Sequence, residues 1–182
     1  MEGNKRQPLG VELVRKGIVT EAEVNQAIEY QKAHRKMKLG EILRSFSKCD
    51  PQILIEAIGE ILGERGILLN ADDIEINMED YISLDVAKEC KAVPFAIAQG
   101  KVKVCFADTF NKSHMEKVRL ILLNRGLVME RYITFEQNID SILNMLTYGD
   151  AVACAVTHYF VLDLFPARDT TLYQYLSYTG QT

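Results

Sequence analysis

The sequence predicts an α+β fold in which an N-terminal four-helix unit of two helical hairpins is followed by a small three-stranded sheet with helices. One observation is a repeat: "LGVELVRKGIVTEAEVNQAIEYQ" begins at Leu9, and "LGEILRSFSKCDPQILIEAIGEI" begins thirty residues later at Leu39. Another is that strand-like and amphipathic segments alternate after the repeat. We expect subdomains at residues 1–70 and 71–148, and a C-terminal extension of unassigned role at 149–182.

Each repeat predicts a helix, a tight turn and a second helix. In the first repeat, Gly17 suits the left-handed residue after a helix, and Thr20-x-x-Glu23 is a capping box. In the second repeat, Asp50-Pro51 predicts an N-cap followed by proline in the first helical turn. Two such hairpins can bury their apolar stripes against each other. The buried side of the fourth helix is expected to contain Ile53, Leu54, Ala57, Ile58 and Ile61.

The second half predicts a small α/β arrangement. Residues 80–90 favour a helix, and "AVPFAIAQGKVKVCFAD" favours a β-hairpin that turns at Gln99-Gly100. An S-x-x-E sequence at Ser113 predicts the start of the next helix, and "LVMERYITF" predicts a third strand. A final helix is expected to follow a cap at Thr134. The order strand, helix, strand indicates a βαβ-like unit.

Composition and motifs exclude several functional classes. The 182-residue chain has a net charge of −4 and a pI of about 5.5, which disfavours nucleic acid as a main partner. The four cysteines form no C-x-x-C pair, and His34, His114 and His158 lack metal-ligand spacing, so we expect no metal site. The sequence contains neither G-x-x-x-x-G-K-[ST] nor G-x-S-x-G. We therefore expect neither an enzyme nor a tightly bound cofactor.

The two repeats, together with "ISLDVAKECKAVPFAIAQGKVKVCFADTFN", resemble the N-terminal domain of bacterial type II secretion and type IV pilus assembly ATPases. The resemblance covers roughly residues 8–146. It implies a cytoplasmic domain that is peripheral to the inner membrane through a partner, either an inner-membrane platform protein or a motor ATPase. Some members of that family bind cyclic di-GMP through two units of the form R-L-G-x-x-L-x-x-x-G, each followed by a closing glutamine.

The resemblance also implies a set of candidate ligand-binding residues. They come from the L-G-x-x-L positions of both units, from the closing glutamine of the first unit, and from charged side chains nearby. The implied residues are Leu9, Gly10, Leu13, Gln31, Lys38, Leu39, Gly40, Leu43, Arg6, Arg35 and Asp108.

Four positions depart from the family pattern. Pro8 and Lys38 replace the two arginines, Ser47 replaces the turn glycine of the second unit, and Ile61 replaces its closing glutamine. Proline has neither charge nor N–H, and lysine cannot stack as a planar guanidinium does. Each lost stacking or hydrogen-bonding contact to a nucleotide costs about 1–3 kcal/mol. The repeat is thus kept where it builds helices and changed where it would touch a nucleotide.

Two functional hypotheses follow. The leading one is a non-enzymatic regulatory and docking domain that acts by protein–protein contact, and the alternative is a cyclic-di-GMP-binding sensor. Asp108 is either the cap of a helix or turn, or a contact to a ligand or partner at the junction of the two subdomains. The tyrosine-rich segment after Gly149 is either an element docked on the core or an exposed segment for a partner or for self-association.

Overall fold

A computed structural model describes residues 7–147, and the expected C-terminal extension and its self-association lie outside the described residues. One compact unit ends at Leu143, and a second begins at Asn144. The subdomain bounds at 70 and 148 stay a prediction. The helices and strands are α1 (Leu9–Arg15), α2 (Glu21–Ala33), α3 (Leu39–Phe46), α4 (Pro51–Leu62), β1 (Arg65–Gly66), α5 (Leu84–Cys90), β2 (Ala92–Ala98), β3 (Lys101–Phe106), α6 (Lys112–Asn124), β4 (Val128–Ile133) and α7 (136–147).

The predicted α+β class is confirmed, and the sheet has one strand more than predicted. Its order is β1-β4-β3-β2, with β2 antiparallel to β3 and the other two pairs parallel. The β3–α6–β4 crossover is the expected βαβ-like unit. We did not predict β1 because a two-residue strand at Arg65–Gly66 is too short to show any alternation.

The local signals of the two hairpins are confirmed. Thr20 and Glu23 form the capping box of α2, and the Asp50 carboxylate accepts N–H bonds from the first turn of α4. Gly17 has a φ of +71°, a backbone conformation that favours glycine after a helix. Within residues 7–147, every helix falls short of the length and apolar character needed to cross a bilayer.

The buried side of α4 differs from the prediction at Ile53, which is 51% exposed, whereas Ile55 is only 2% exposed. The reason is that α4 packs against helices on one side and against the β1 segment on another. A single amphipathic stripe does not describe a helix that is covered from two directions. The predicted cap of α6 at Ser113 is also wrong, because the Asn111 side chain accepts the His114 N–H at 3.2 Å.

Two apolar clusters form the core. One lies among α1–α4 around Leu13, Leu43 and Leu54, and it includes Phe135 from the segment after β4. The other covers the sheet around Val104 and Phe106, together with inward side chains of α5, α6 and α7. The chain passes from one cluster to the other around β1, where Ile67 packs against the sheet cluster and Leu68 packs against the helical one.

Two glycines make this passage possible. A Cβ on Gly66 would lie 2.0 Å from the Ile55 carbonyl oxygen, and a Cβ on Gly59 would lie 2.4 Å from the Gly66 nitrogen. Both distances are far below van der Waals contact with backbone atoms, which cannot move aside as a side chain can. The backbones of α4 and β1 therefore touch directly.

We expect Gly66→Ala to lower the free energy of unfolding by about 3 kcal/mol or more, because the added methyl forces α4 and β1 apart. Gly63→Ala is the matched control: Gly63 has a φ of +77°, but nothing lies within 4 Å of its Cβ position. The control should lose only about 1–2 kcal/mol, from backbone strain. Urea unfolding of both variants measures the difference, and equal losses would contradict this account.

Candidate functional site

The glycines of the two LG units are packing residues in this structure. A Cβ on Gly10 would lie 2.6 Å from a methyl of Val24 and 3.5 Å from a methyl of Leu39. A Cβ on Gly40 would lie 2.9 Å from a methyl of Ile58. Because glycine has no side chain, the first helix of each hairpin can approach the second closely. Gly10 also lies beside Leu39, so the two LG units are in contact.

The leucines of the same units divide into two classes. Leu13 and Leu43 have no solvent exposure and belong to the helical core. Leu9 and Leu39, at the helix starts, are partly buried and pack against that core. Of these four leucines, only Leu9 and Leu39 can therefore touch a ligand without a rearrangement of the hairpins.

The linker between the repeats is held by Gln31. Its side-chain Nε2 donates a hydrogen bond to the Met37 carbonyl at 2.8 Å. Arg35 lies on this linker and is exposed, whereas Arg6 lies outside the described residues. The Gln31 amide, which the resemblance implies as a ligand contact, therefore forms a hydrogen bond within the chain and holds the linker against α2.

Lys38 reaches from the start of α3 to the sheet. Its Nζ donates to the Ala107 carbonyl at 2.8 Å, lies 3.3 Å from Glu136 Oε2, and lies 3.9 Å from Asp108 Oδ2. The ammonium group therefore has one hydrogen bond, to the carbonyl, and two carboxylates as ion-pair neighbours. The side chain remains 42% exposed. Lys38 is therefore a contact between the second repeat and the sheet.

Asp108 caps a turn, which is one of the two roles that the sequence predicted for it. Its Oδ1 accepts the Phe110 N–H at 2.8 Å, two residues further along the chain. Its other oxygen faces Lys38, so the side chain also lies where the helical repeats meet the sheet. A contact from Asp108 to a ligand or partner stays a prediction.

Sequence analysis missed four polar residues at this junction, namely Glu41, Arg44, Glu136 and Asn138. Glu41 is only 7% exposed, and its Oε1 accepts the Glu136 N–H at the start of α7. Arg44 donates to Asn138 Oδ1 at 2.5 Å, and its guanidinium lies 4.8 Å from the centre of the Phe135 ring. The one available signal was the spacing of Lys38, Glu41 and Arg44, which places them on one face of α3.

The predicted cap of α7 at Thr134 is replaced by these contacts. Thr134 Oγ1 instead accepts the Leu69 N–H at 3.3 Å, and a carboxylate from another helix receives the first N–H of α7. The local sequence could not show this, because Glu41 is distant in sequence and becomes a neighbour only after folding.

The surroundings of Glu41 raise the pKa of its carboxyl group. Burial raises the pKa of the Glu41 carboxyl above its ordinary value, against the opposing effects of the Glu136 N–H, Arg44 and Lys38. The Glu136 carboxylate adds a smaller upward effect on that pKa. Glu41 Oε2 is buried and has no hydrogen-bond partner among residues 7–147.

Groups that could carry covalent or metal chemistry are not assembled in the part of the chain that the structure describes. Burial raises the pKa of the Cys90 and Cys105 thiols, which keeps them in the unreactive neutral form. Among residues 7–147, no three His, Cys, Asp or Glu side chains are grouped as metal ligands. The junction is thus a set of structural ion pairs and hydrogen bonds.

Comparison with known proteins identifies the fold. A solved structure of MshE with cdg has a TM-score of 0.55 and 20% sequence identity, and the match covers 76% of this chain and 98% of that one. A structure of the N-terminal domain of XpsE gives a TM-score of 0.48 at 20% identity, over 79% of this chain and 97% of that one. No protein-family model and no curated protein sequence matches the chain.

The MshE comparison shows that this chain shares that structure's fold. At this level of identity the similarity concerns the fold alone. It confirms the α+β fold that the sequence resemblance implied, with two helical hairpins followed by a small sheet with helices.

We expect Glu41→Gln to change how stability depends on pH. The unfolded carboxyl titrates near 4.5 and the folded one at a higher pH, so the native state binds the proton more tightly. The Glu41 contribution is therefore most favourable below pH 4.5 and is lost as pH rises through the folded pKa.

The stability of Glu41→Gln relative to the wild type should consequently increase between about pH 4.5 and pH 7. Urea unfolding of both proteins at several pH values in this window gives the measurement. The other carboxyl groups are present in both proteins, so their effects on the free energy of unfolding cancel when one protein is subtracted from the other. A difference that is constant across the window would contradict a raised pKa for Glu41.

Proposed function

We propose that the chain is a non-enzymatic regulatory and docking domain of the type found at the N-terminus of secretion and pilus assembly ATPases. The observation that supports this proposal most is the shared fold with the MshE structure, which covers nearly all of that chain. The tandem LG units and the segment through Asn111 add the sequence resemblance. On this proposal the chain works by protein–protein contact.

The internal contacts of the repeat favour docking over ligand capture. Lys38 is bound to the Ala107 carbonyl, and Gln31 is bound to the Met37 carbonyl. A ligand would find one N–H of each side chain already bonded inside the chain, and it would find the Lys38 ammonium beside two carboxylates. Partner binding elsewhere on the surface does not depend on these groups.

The surface offers apolar side chains for such contact. Phe110, in the loop after β3, is 72% exposed, and other large apolar side chains on the helices and on β4 are about half exposed. The outer edge of β2 is a poorer place for a partner strand, because it contains Pro94 and a register shift beside Phe95. We therefore favour side-chain contacts over strand addition. Among these side chains, Val11, Ile53, Phe110 and Val128 are each at least half exposed.

The partner on this proposal is the cytoplasmic part of an inner-membrane platform protein, or the motor ATPase itself. Either partner would place the chain in the cytoplasm, at the periphery of the inner membrane. A single half-exposed side chain does not bury enough area for a stable complex, so several of the exposed side chains should act together.

We expect the full chain to capture the cytoplasmic part of a platform protein, or a motor ATPase, in a pull-down with purified components. Val11→Ser, Ile53→Ser, Phe110→Ser and Val128→Ser should divide into two classes, because a few buried anchors dominate binding energy. At least two should each weaken binding about tenfold or more, and a variant without effect marks surface outside the interface. No capture of either partner, or capture that none of the four variants changes, would contradict the proposal.

A second candidate function is a cyclic di-GMP sensor. The observation that favours it is that the MshE structure of the same fold is a structure with cdg. In this chain the site would lie at the contact between the two LG units, where Gly10 and Leu39 are neighbours. Lys38, Gln31, Arg35, Asp108 and Arg6 would supply the polar groups.

If the chain is such a sensor, cyclic di-GMP raises the midpoint of thermal unfolding, whereas GTP and ATP do not. Ligand at 100 times its dissociation constant adds about 2.7 kcal/mol to stability. Pro8→Arg and Lys38→Arg should each tighten binding about tenfold, because a guanidinium stacks on guanine and an ammonium does not.

Lys16→Arg is the matched control, since Lys16 pairs with Glu60 on the surface of the helical unit. This control should leave the ligand-induced shift unchanged. The absence of any shift in the wild type and in both arginine variants would exclude the sensor function.

A further inference from the structure

One face of α3 contacts the first turn of α7 at three successive points. Lys38 lies 3.3 Å from the Glu136 carboxylate, Glu41 accepts the Glu136 N–H, and Arg44 donates to Asn138 at 2.5 Å. Glu41 and Arg44 lie in α3, and Lys38 is the residue immediately before it. Their spacing of three places all three along one side of the helix. Every polar side chain of this row is engaged with the same short segment.

The central contact of the row is the most buried. Glu41 places a carboxylate against the first N–H of α7, where an isolated helix has no partner for its N–H groups. Arg44 adds its planar group over the Phe135 ring, immediately before the helix begins. The start of α7 is therefore fixed by α3 and not by a cap from its own segment.

The outer contact of the row is the accessible one. Lys38 is only half-buried, and Glu136 lies between it and a second cation, Lys91, whose Nζ is 3.9 Å from Glu136 Oε1. Lys91 also pairs with Asp140, one turn further along α7. A negatively charged group that approached Lys38 from solvent would compete with Glu136 for the same ammonium.

We propose that the row of Lys38, Glu41 and Arg44, which we call the α3 latch, holds the first turn of α7 and transmits any change at the start of the second repeat to that turn. The latch goes beyond docking or ligand binding, since it couples two places within this chain. Neutralising or displacing Lys38 weakens the hold on Glu136, and α7 then opens more easily at its first turn.

Amide hydrogen exchange tests the latch at individual residues. The Glu136 amide is bonded to Glu41, and the Asn138 and Ile139 amides are bonded to the Phe135 carbonyl at 3.1 and 3.3 Å. In Glu41→Met we expect these three amides to exchange about tenfold faster, because the Glu136 amide loses its acceptor and the first turn of α7, which includes the other two amides, then opens more often. In Glu41→Gln an amide oxygen can still accept the bond, so the acceleration should be smaller.

Lys38→Met provides a second variant that leaves the buried carboxylate in place. It should accelerate exchange at the same amides, whereas the matched control Lys16→Met should not. Lys16 also forms an ion pair, at 2.7 Å to Glu60, but between α1 and α4. The amides of β3 report global unfolding in every variant.

The expected result is faster exchange at the start of α7 in Glu41→Met and Lys38→Met, with β3 amides unchanged or much less affected. Exchange that is unaltered at these three amides in both variants would overturn the latch. An equal acceleration of β3 and α7 amides in both variants would also overturn it, since these side chains would then contribute only to global stability.

Discussion

Direct contact between the backbones of α4 and β1 determines how the two parts of this fold are joined. The contact exists because Gly59 and Gly66 carry no side chains, and a methyl on either glycine would overlap backbone atoms. Since β1 pairs with β4 and β4 pairs with β3, the position of α4 fixes the position of the sheet relative to the helical hairpins. The polar row on α3 can meet the start of α7 only with this relation in place.

The two LG repeats are packing units in this chain. In this chain Gly10 and Gly40 allow close helix packing, and Leu13 and Leu43 fill the core. The polar positions of the pattern, at Gln31 and Lys38, bond to backbone carbonyls of the same chain. The pattern therefore keeps its architectural residues, while its polar residues have internal partners.

Much of the fold was predictable because its signals are local. The capping box at Thr20, the N-cap at Asp50 and the hairpin at Gln99-Gly100 each depend on residues close in sequence. The short strand β1 was not predictable, because its pairing depends on β4, far along the chain. Glu41 was missed for the same reason: an acidic residue in the first turn of a helix is ordinarily solvent-exposed, and its burial depends on a tertiary neighbour.

The pairing of β1 with β4 also constrains the order of assembly during synthesis. The Arg65 and Tyr132 partners are 67 residues apart, whereas the contacts within each helical hairpin are local. Local contacts form faster than distant ones, because less chain entropy is lost when a short loop closes. As the chain leaves the ribosome, the hairpins can therefore form while β1 still waits for its partner strand. Until β4 emerges, β1 and the α4 surface beside it are exposed to chaperones and to other nascent chains.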